Sequence, residues 1–163
     1  MNTHNAWRTP QPNSGATGFT LTEVLIAATI IIAIVAIALP MFSTFKEQQN
    51  LAIAVSDLRG IDIYVSSYKV SNGEYPNALS EVPGADRKDP WGYPYQYLKI
   101  QGQETAVKGK MRRDKSTNPI NTDFDLYSNG PDGMTSTQLN SKTGQDDVVR
   151  ANDGGYFGLA SKY

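Results

Sequence analysis

The sequence predicts an α+β protein: a long N-terminal α-helix, transmembrane in its first half, packed on a small antiparallel β-sheet head with an ordered C-terminal loop. Three observations predict it. Residues 19–39 carry one charge among 21 positions. An apolar repeat at three- and four-residue intervals then continues to about residue 70, and beyond it short aromatic or alternating runs are separated by Gly, Pro and Asn. The chain of 163 residues suffices for one compact domain with appendages. Fifteen Lys and Arg against sixteen Asp and Glu leave a formal charge of −1, a balance that marks neither a nucleic-acid binder nor a binder of acidic substrates. Without cysteine there is neither a disulfide framework nor a thiolate metal site.

At 1.5 Å per residue, residues 19–39 make a helix about 31 Å long, the thickness of a bilayer's hydrocarbon core. Core helices of soluble proteins seldom run so far without a polar face. A secretory signal is cleaved after its apolar stretch, whereas here the small residues Gly15, Ala16, Thr17 and Gly18 precede it, so cleavage there leaves the anchor attached. Glu23 lies one turn inside this stretch. A carboxylate in an apolar helix is costly unless it is paired, or it sits solvated at the headgroups; the residue alone leaves both readings open. Arg8 and the amino terminus are the only cations before the stretch, which favours an N-terminus in the cytoplasm. Pro40 removes a backbone hydrogen bond and clashes with the preceding turn, so a kink or interruption is expected there.

Between residues 41 and 70 Gly60 is the only helix breaker, and Leu51, Val55, Leu58, Ile61 and Val65 form a stripe that requires a partner surface, which a sheet from the remaining residues would supply. Asn72-Gly73 reads as the helix stop. Trp91, Tyr93, Tyr95 and Tyr97 alternate as one face of an extended strand would, with Pro94 placing it at an edge. Such alternation is a packing pattern; a base-stacking platform would interleave Arg. Lys108, Lys110, Arg112, Arg113 and Lys115 form a basic cluster that reads as a solvated loop, with an anionic-lipid or polyanion contact as its alternative.

A strand followed by two glycine turns is expected over 123–133, and Gly144-Gln145-Asp146-Asp147-Val148 follows a Ser/Thr-rich stretch. Asp132, Asp146 and Asp147 beside these glycines offer the flexible all-oxygen environment that calcium prefers, although Asp-Gly is equally a plain turn signal. The spacing is not that of an EF-hand loop. Asn152-Asp153-Gly154-Gly155 reads as another turn.

Gly18-Phe19-Thr20-Leu21-Thr22-Glu23 followed at once by the apolar run resembles the type IV prepilin signal, which a dedicated membrane peptidase cuts after the glycine before methylating the new N-terminus. The resemblance implies a leader over 1–18, a transmembrane and filament-core helix over 19–40, and a periplasmic pilin-like head over 41–163. It makes Gly18 the last leader residue, Phe19 the methylated mature N-terminus, and Glu23 the partner of the Phe19 amine on a neighbouring subunit. Phe19, Glu23 and Pro40 would then serve filament assembly. Asn72-Gly73-Glu74-Tyr75-Pro76 and Asp89-Pro90-Trp91-Gly92-Tyr93-Pro94-Tyr95 resemble the major pseudopilins of type II secretion, and the missing cysteines fit that branch. In that family a Tyr-Ser-x-Gly-x-Asp-Gly segment and a later Asp-Asp pair bind Ca2+. Carried over, the ligands are Asn129 through its carbonyl and Asp132, Asp146 and Asp147, with residues 134–145 a longer spacer than usual.

The implied function is structural, a pseudopilus subunit that drives export of folded proteins. Its implied partners are further copies of itself in a helical homopolymer, minor pseudopilins, the prepilin peptidase and methyltransferase, the inner-membrane assembly platform with its ATPase, and membrane lipid before assembly. No nucleic acid is expected. A type IV pilus or DNA-uptake filament is the near alternative, and a membrane-anchored periplasmic binding module the distant one. Catalysis is not expected: the one histidine, His4, falls in the leader, and the chain has no phosphate-binding loop and no nucleophile elbow.

Overall fold

A computed structural model describes residues 18–163, so residues 1–17, which hold His4, Arg8 and all but the last residue of the expected leader, lie outside the described residues. The chain divides into two units, one ending at Phe42 and one spanning 43–163. Helix α1 (Leu21–Asn72) enters both. Its start is a reciprocal cap: the Glu23 amide donates to Thr20 Oγ1 at 3.3 Å, and the Thr20 amide donates to Glu23 Oε2 at 2.8 Å. Each satisfies a donor that the first turn would leave unpaired. In the first unit α1 is long and apolar enough to cross a membrane, and its Leu, Ile and Val side chains are exposed. The expected interruption at Pro40 does not occur, because α1 continues through it. One missing N–H removes one bond from a ladder whose other bonds hold on both sides.

The second unit is the head. Four antiparallel strands form a sheet in the order β1 (Gln96–Lys99), β2 (Phe124–Ser128), β3 (Val148–Ala151) and β4 (Tyr156–Leu159). Gln96 faces Tyr127, Ser128 faces Val148 and Val148 faces Leu159. Alternation along the strands sends Phe124, Leu126 and Val148 against Ala54, Leu58, Ile61 and Val65 of α1, all fully buried. Leu51 and Val55 of the sequence stripe pack against this core partly buried. The other sheet face presents Tyr127, Val149 and Ala151 to Ile120 and Leu139, so the long connections form a second covering layer. Short helix α2 (Glu104–Val107) joins through Val107 to Ile100 and Met111.

The aromatic run is a strand only from Gln96 onward. Asp89 is buried and accepts the Trp91 and Tyr93 amides at 3.1 and 2.9 Å, closing a turn in which Gly92 has φ +98. Trp91, Tyr95 and Tyr97 pack on the core whereas Tyr93 is exposed, so the single aromatic face expected from the alternation is broken at the turn. Residues 152–154 turn as expected, and β4 follows them as a strand the sequence reading did not contain.

Candidate functional site

The residues singled out from sequence fall in two places. At the start of the chain Gly18 and Phe19 are exposed and precede α1, and the Glu23 carboxylate is held by its own Thr20. The Glu23 carboxylate is therefore satisfied by neutral donors, and among the described residues no cation pairs with it.

The second place is one end of the sheet, where β2 ends and β3 begins. Ser128 donates to Asp89 Oδ2 at 2.5 Å and accepts the Gly130 amide at 3.1 Å, fastening the loop after β2 to the turn before β1. Gly130 has φ +69, and a Cβ there would stand 2.5 Å from the Asp146 carbonyl oxygen and 3.1 Å from its Oδ2. Only glycine lets the two acidic arms approach this closely. Asp132 accepts the Met134 amide at 2.7 Å, and Asn129 donates to the Gly133 carbonyl at 3.2 Å.

The structure brings Asn129, Asp132 and Asp146 to this loop. Burial, with the charges of Asp132 and Glu47 adding to it, raises the Asp146 carboxyl above its usual range. Asp147 points elsewhere. It is fully buried, pairs with Arg112 Nη1 at 2.8 Å and accepts Thr135 Oγ1 at 2.7 Å, and Arg112 also donates to Thr135. The Arg112 guanidinium stacks 3.4 Å from the centre of the Tyr127 ring. Burial pushes the Asp147 carboxyl up to about 6 despite that pair, with Asp146 adding to the shift. Arg112 thus leaves the solvated basic cluster to which the sequence reading assigned it: it is 2% exposed and fixed under the sheet.

Two acceptor oxygens, Asn129 Oδ1 on the first arm and Asp147 Oδ1 on the second, are buried with no donor. Buried acceptors without donors, near an Asp146 carboxyl that burial and the charge of Asp132 raise, suit a hard cation. Among the described residues no group of three or more acidic or histidine side chains is preassembled, so a cation here would draw on carbonyl oxygens as well. Sequence reasoning missed Asp89 and Ser128, which anchor the loop; the Asp-Pro-Trp-Gly spacing was the signal for Asp89.

An apolar helix able to span a membrane, continuing as the spine of a four-stranded antiparallel head closed by an acidic loop, defines the pilin-like class of proteins. Within that class, the chain is similar to type II secretion system core protein G from Pectobacterium carotovorum, 30% identical across 74% of this chain and 80% of the relative. The proteins of the same name from Pseudomonas aeruginosa and Escherichia coli are each 28% identical, across 71% and 74% of this chain and 84% and 86% of their own lengths. The chain belongs to the type II secretion system core protein G family, the major pseudopilins. No protein-family model matches it, and no solved structure matches it.

Proposed function

We propose that this chain is the major structural subunit of a pseudopilus that polymerises in the bacterial cell envelope and drives export of folded proteins through the type II pathway. The observation that carries the reading is α1 itself, apolar and exposed over its first half and buried on the sheet over its second. An exposed membrane-length helix on a self-sufficient head is a part that is complete only among its own copies. Before assembly the helix lies in the inner membrane with the head in the periplasm. After cleavage at Gly18 and methylation of Phe19, the amine of one subunit replaces Thr20 as the partner of Glu23 on the next. That exchange neutralises two charges inside an apolar bundle and sets the axial register. Pro40 sits at the end of the bundled segment. The assembly platform, its ATPase and the minor pseudopilins supply the drive and the tip.

Calcium fits the C-terminal loop through Asp132, Asp146 and the Asn129 oxygen. Bound there, it would supply the positive charge that the Asp132 and Asp146 carboxylates lack and order the loop on the sheet end. The first test is secretion. A strain lacking the subunit loses export of its secreted enzymes, and Glu23→Ala fails to restore it; motility or transformation lost in place of export would overturn the assignment. The second test is a thermal melt of residues 43–163 with calcium and with chelator. A calcium-dependent rise absent from Asp132→Ala and Asp146→Ala supports the site, and equal melting temperatures reject it.

A further inference from the structure

Beside the acidic loop the head carries a pocket of about 450 Å³ lined by Leu51, Trp91, Pro131 and Leu159, with Glu47 and Asp146 among its polar lining. Its walls are apolar and its rim is mainly anionic, Lys162 being the one cation that lines it. Glu47 is exposed and accepts the Trp91 Nε1 proton at 3.4 Å, so its carboxylate is held at the edge of the indole. A hollow with an aromatic wall and a carboxylate at its mouth matches one kind of side chain, a lysine or arginine whose stem lies on the apolar wall and whose charge meets the carboxylate.

The chain supplies such side chains at its other end. The pocket stands at the sheet end defined by Gln96, Ser128, Val148 and Leu159. Lys108 and Lys110 follow α2 beyond the opposite end, where Lys99 of β1 pairs with Glu74 just past the end of α1. Both are exposed and neither enters an ion pair among the described residues. A cationic loop at one end of the head and an apolar pocket with an anionic mouth at the other cannot meet within one molecule.

We propose that the occupant of this pocket is a second copy of the chain, whose 108–110 loop places a lysine against Trp91 and Glu47. The contact joins two different surfaces, so it is head-to-tail and, with a rotation that closes no ring, repeats along a filament. The inference rests on the pseudopilus reading and adds to it the surface by which one head meets the next. Calcium on the neighbouring loop would neutralise Asp132 and Asp146 and leave Glu47 as the anion of the mouth, which makes Glu47 the residue to test.

The chain has no cysteine, so introduced pairs report only the contact chosen. In cells assembling the filament from the full chain, Glu47→Cys combined with Lys108→Cys or with Lys110→Cys is expected to give an oxidative ladder of covalent multimers, and each single variant no more than dimers. Glu47→Lys is expected to lower filament yield about tenfold, and Lys108→Glu with Lys110→Glu in the same chain to restore it, since a swapped pair recovers a charge contact that either change alone destroys. Restoration also shows that the variant heads fold. Filaments that form normally from Glu47→Lys, with no ladder from either cysteine pair, overturn the contact and leave the pseudopilus reading standing. No filament from the unaltered chain overturns both.

Discussion

Arg150 shows how much one side chain holds in this head. It is 3% exposed; its Nε donates to Asp62 of α1 at 2.6 Å, and Nη1 and Nη2 donate to Asp123 at 2.8 and 2.7 Å. Its guanidinium lies 4.0 Å over the Phe124 ring. The sheet and the helix are thereby joined by charge as well as by apolar contact. Arg150→Met keeps the stem but leaves Asp62 and Asp123 without their cation, and removing one partner of a largely buried pair costs about 3 kcal/mol or more. Urea unfolding of residues 43–163 measures it, and a loss under about 1 kcal/mol would show that the network adds nothing to the packing. From sequence, the Val-Val-Arg-Ala run offers no sign of this. Alternation sends Arg150 to the helix face, but which face that is depends on β3 pairing with β2 and β4. Arg112 is hidden for a similar reason: its neighbours Lys110 and Arg113 are solvated, and only the fold of the covering layer turns it inward to Asp147.

At the scale of elements, α1 was the legible one. Its stripe of Leu58, Ile61 and Val65 is the buried stripe, because a 3.6-residue period leaves little choice of face. Ala54 joins it fully buried, a position small enough to escape a search for large apolar residues. Leu58→Ala opens a cavity between α1 and the sheet and is expected to cost about 2–5 kcal/mol in the same unfolding measurement, whereas Ile63→Ala, on the exposed side, should change it by less than about 1 kcal/mol. The short strands were less legible. β4 is four half-buried residues, one of them Gly158, so it carries neither clean alternation nor strong strand propensity. Its existence is decided by hydrogen bonds to β3, from Leu159 against Val148 to Tyr156 against Ala151.

At the scale of the whole molecule, one buried carboxyl should respond to acid in an unusual direction. Asp147 holds its proton up to about pH 6 in the folded head and to about 4 when unfolded, so between those values the folded state binds more protons. Stability from this residue is present below about pH 4 and is lost as pH rises through about 6, a change on the order of 2 kcal/mol. In chelator, the stability of the head relative to Asp147→Asn should therefore fall between pH 4 and 6.5; a difference that stays flat across that range would mean the buried pair stays ionised throughout. Calcium near this arm would oppose the loss by favouring the ionised loop.

The sequence by itself determined the division of labour in this protein. An uninterrupted apolar stretch of bilayer length with one carboxylate a turn inside it, followed by an amphipathic repeat, admits few physical solutions, since a helix in lipid satisfies its own backbone and an amphipathic helix must find a sheet. Patterns of that kind are local, with periods of a few residues, and so they survive in a one-dimensional reading. Tertiary structure decided which charges are buried and which acidic residues meet. Asp146 stands against Gly130 while its neighbour Asp147 turns under the sheet to Arg112, a parting of adjacent identical residues made by the bend that leads into β3. The pocket beside Trp91 was likewise beyond the sequence, for it joins Glu47, Pro131 and Leu159 from three distant segments whose proximity exists only once the sheet has closed on the helix.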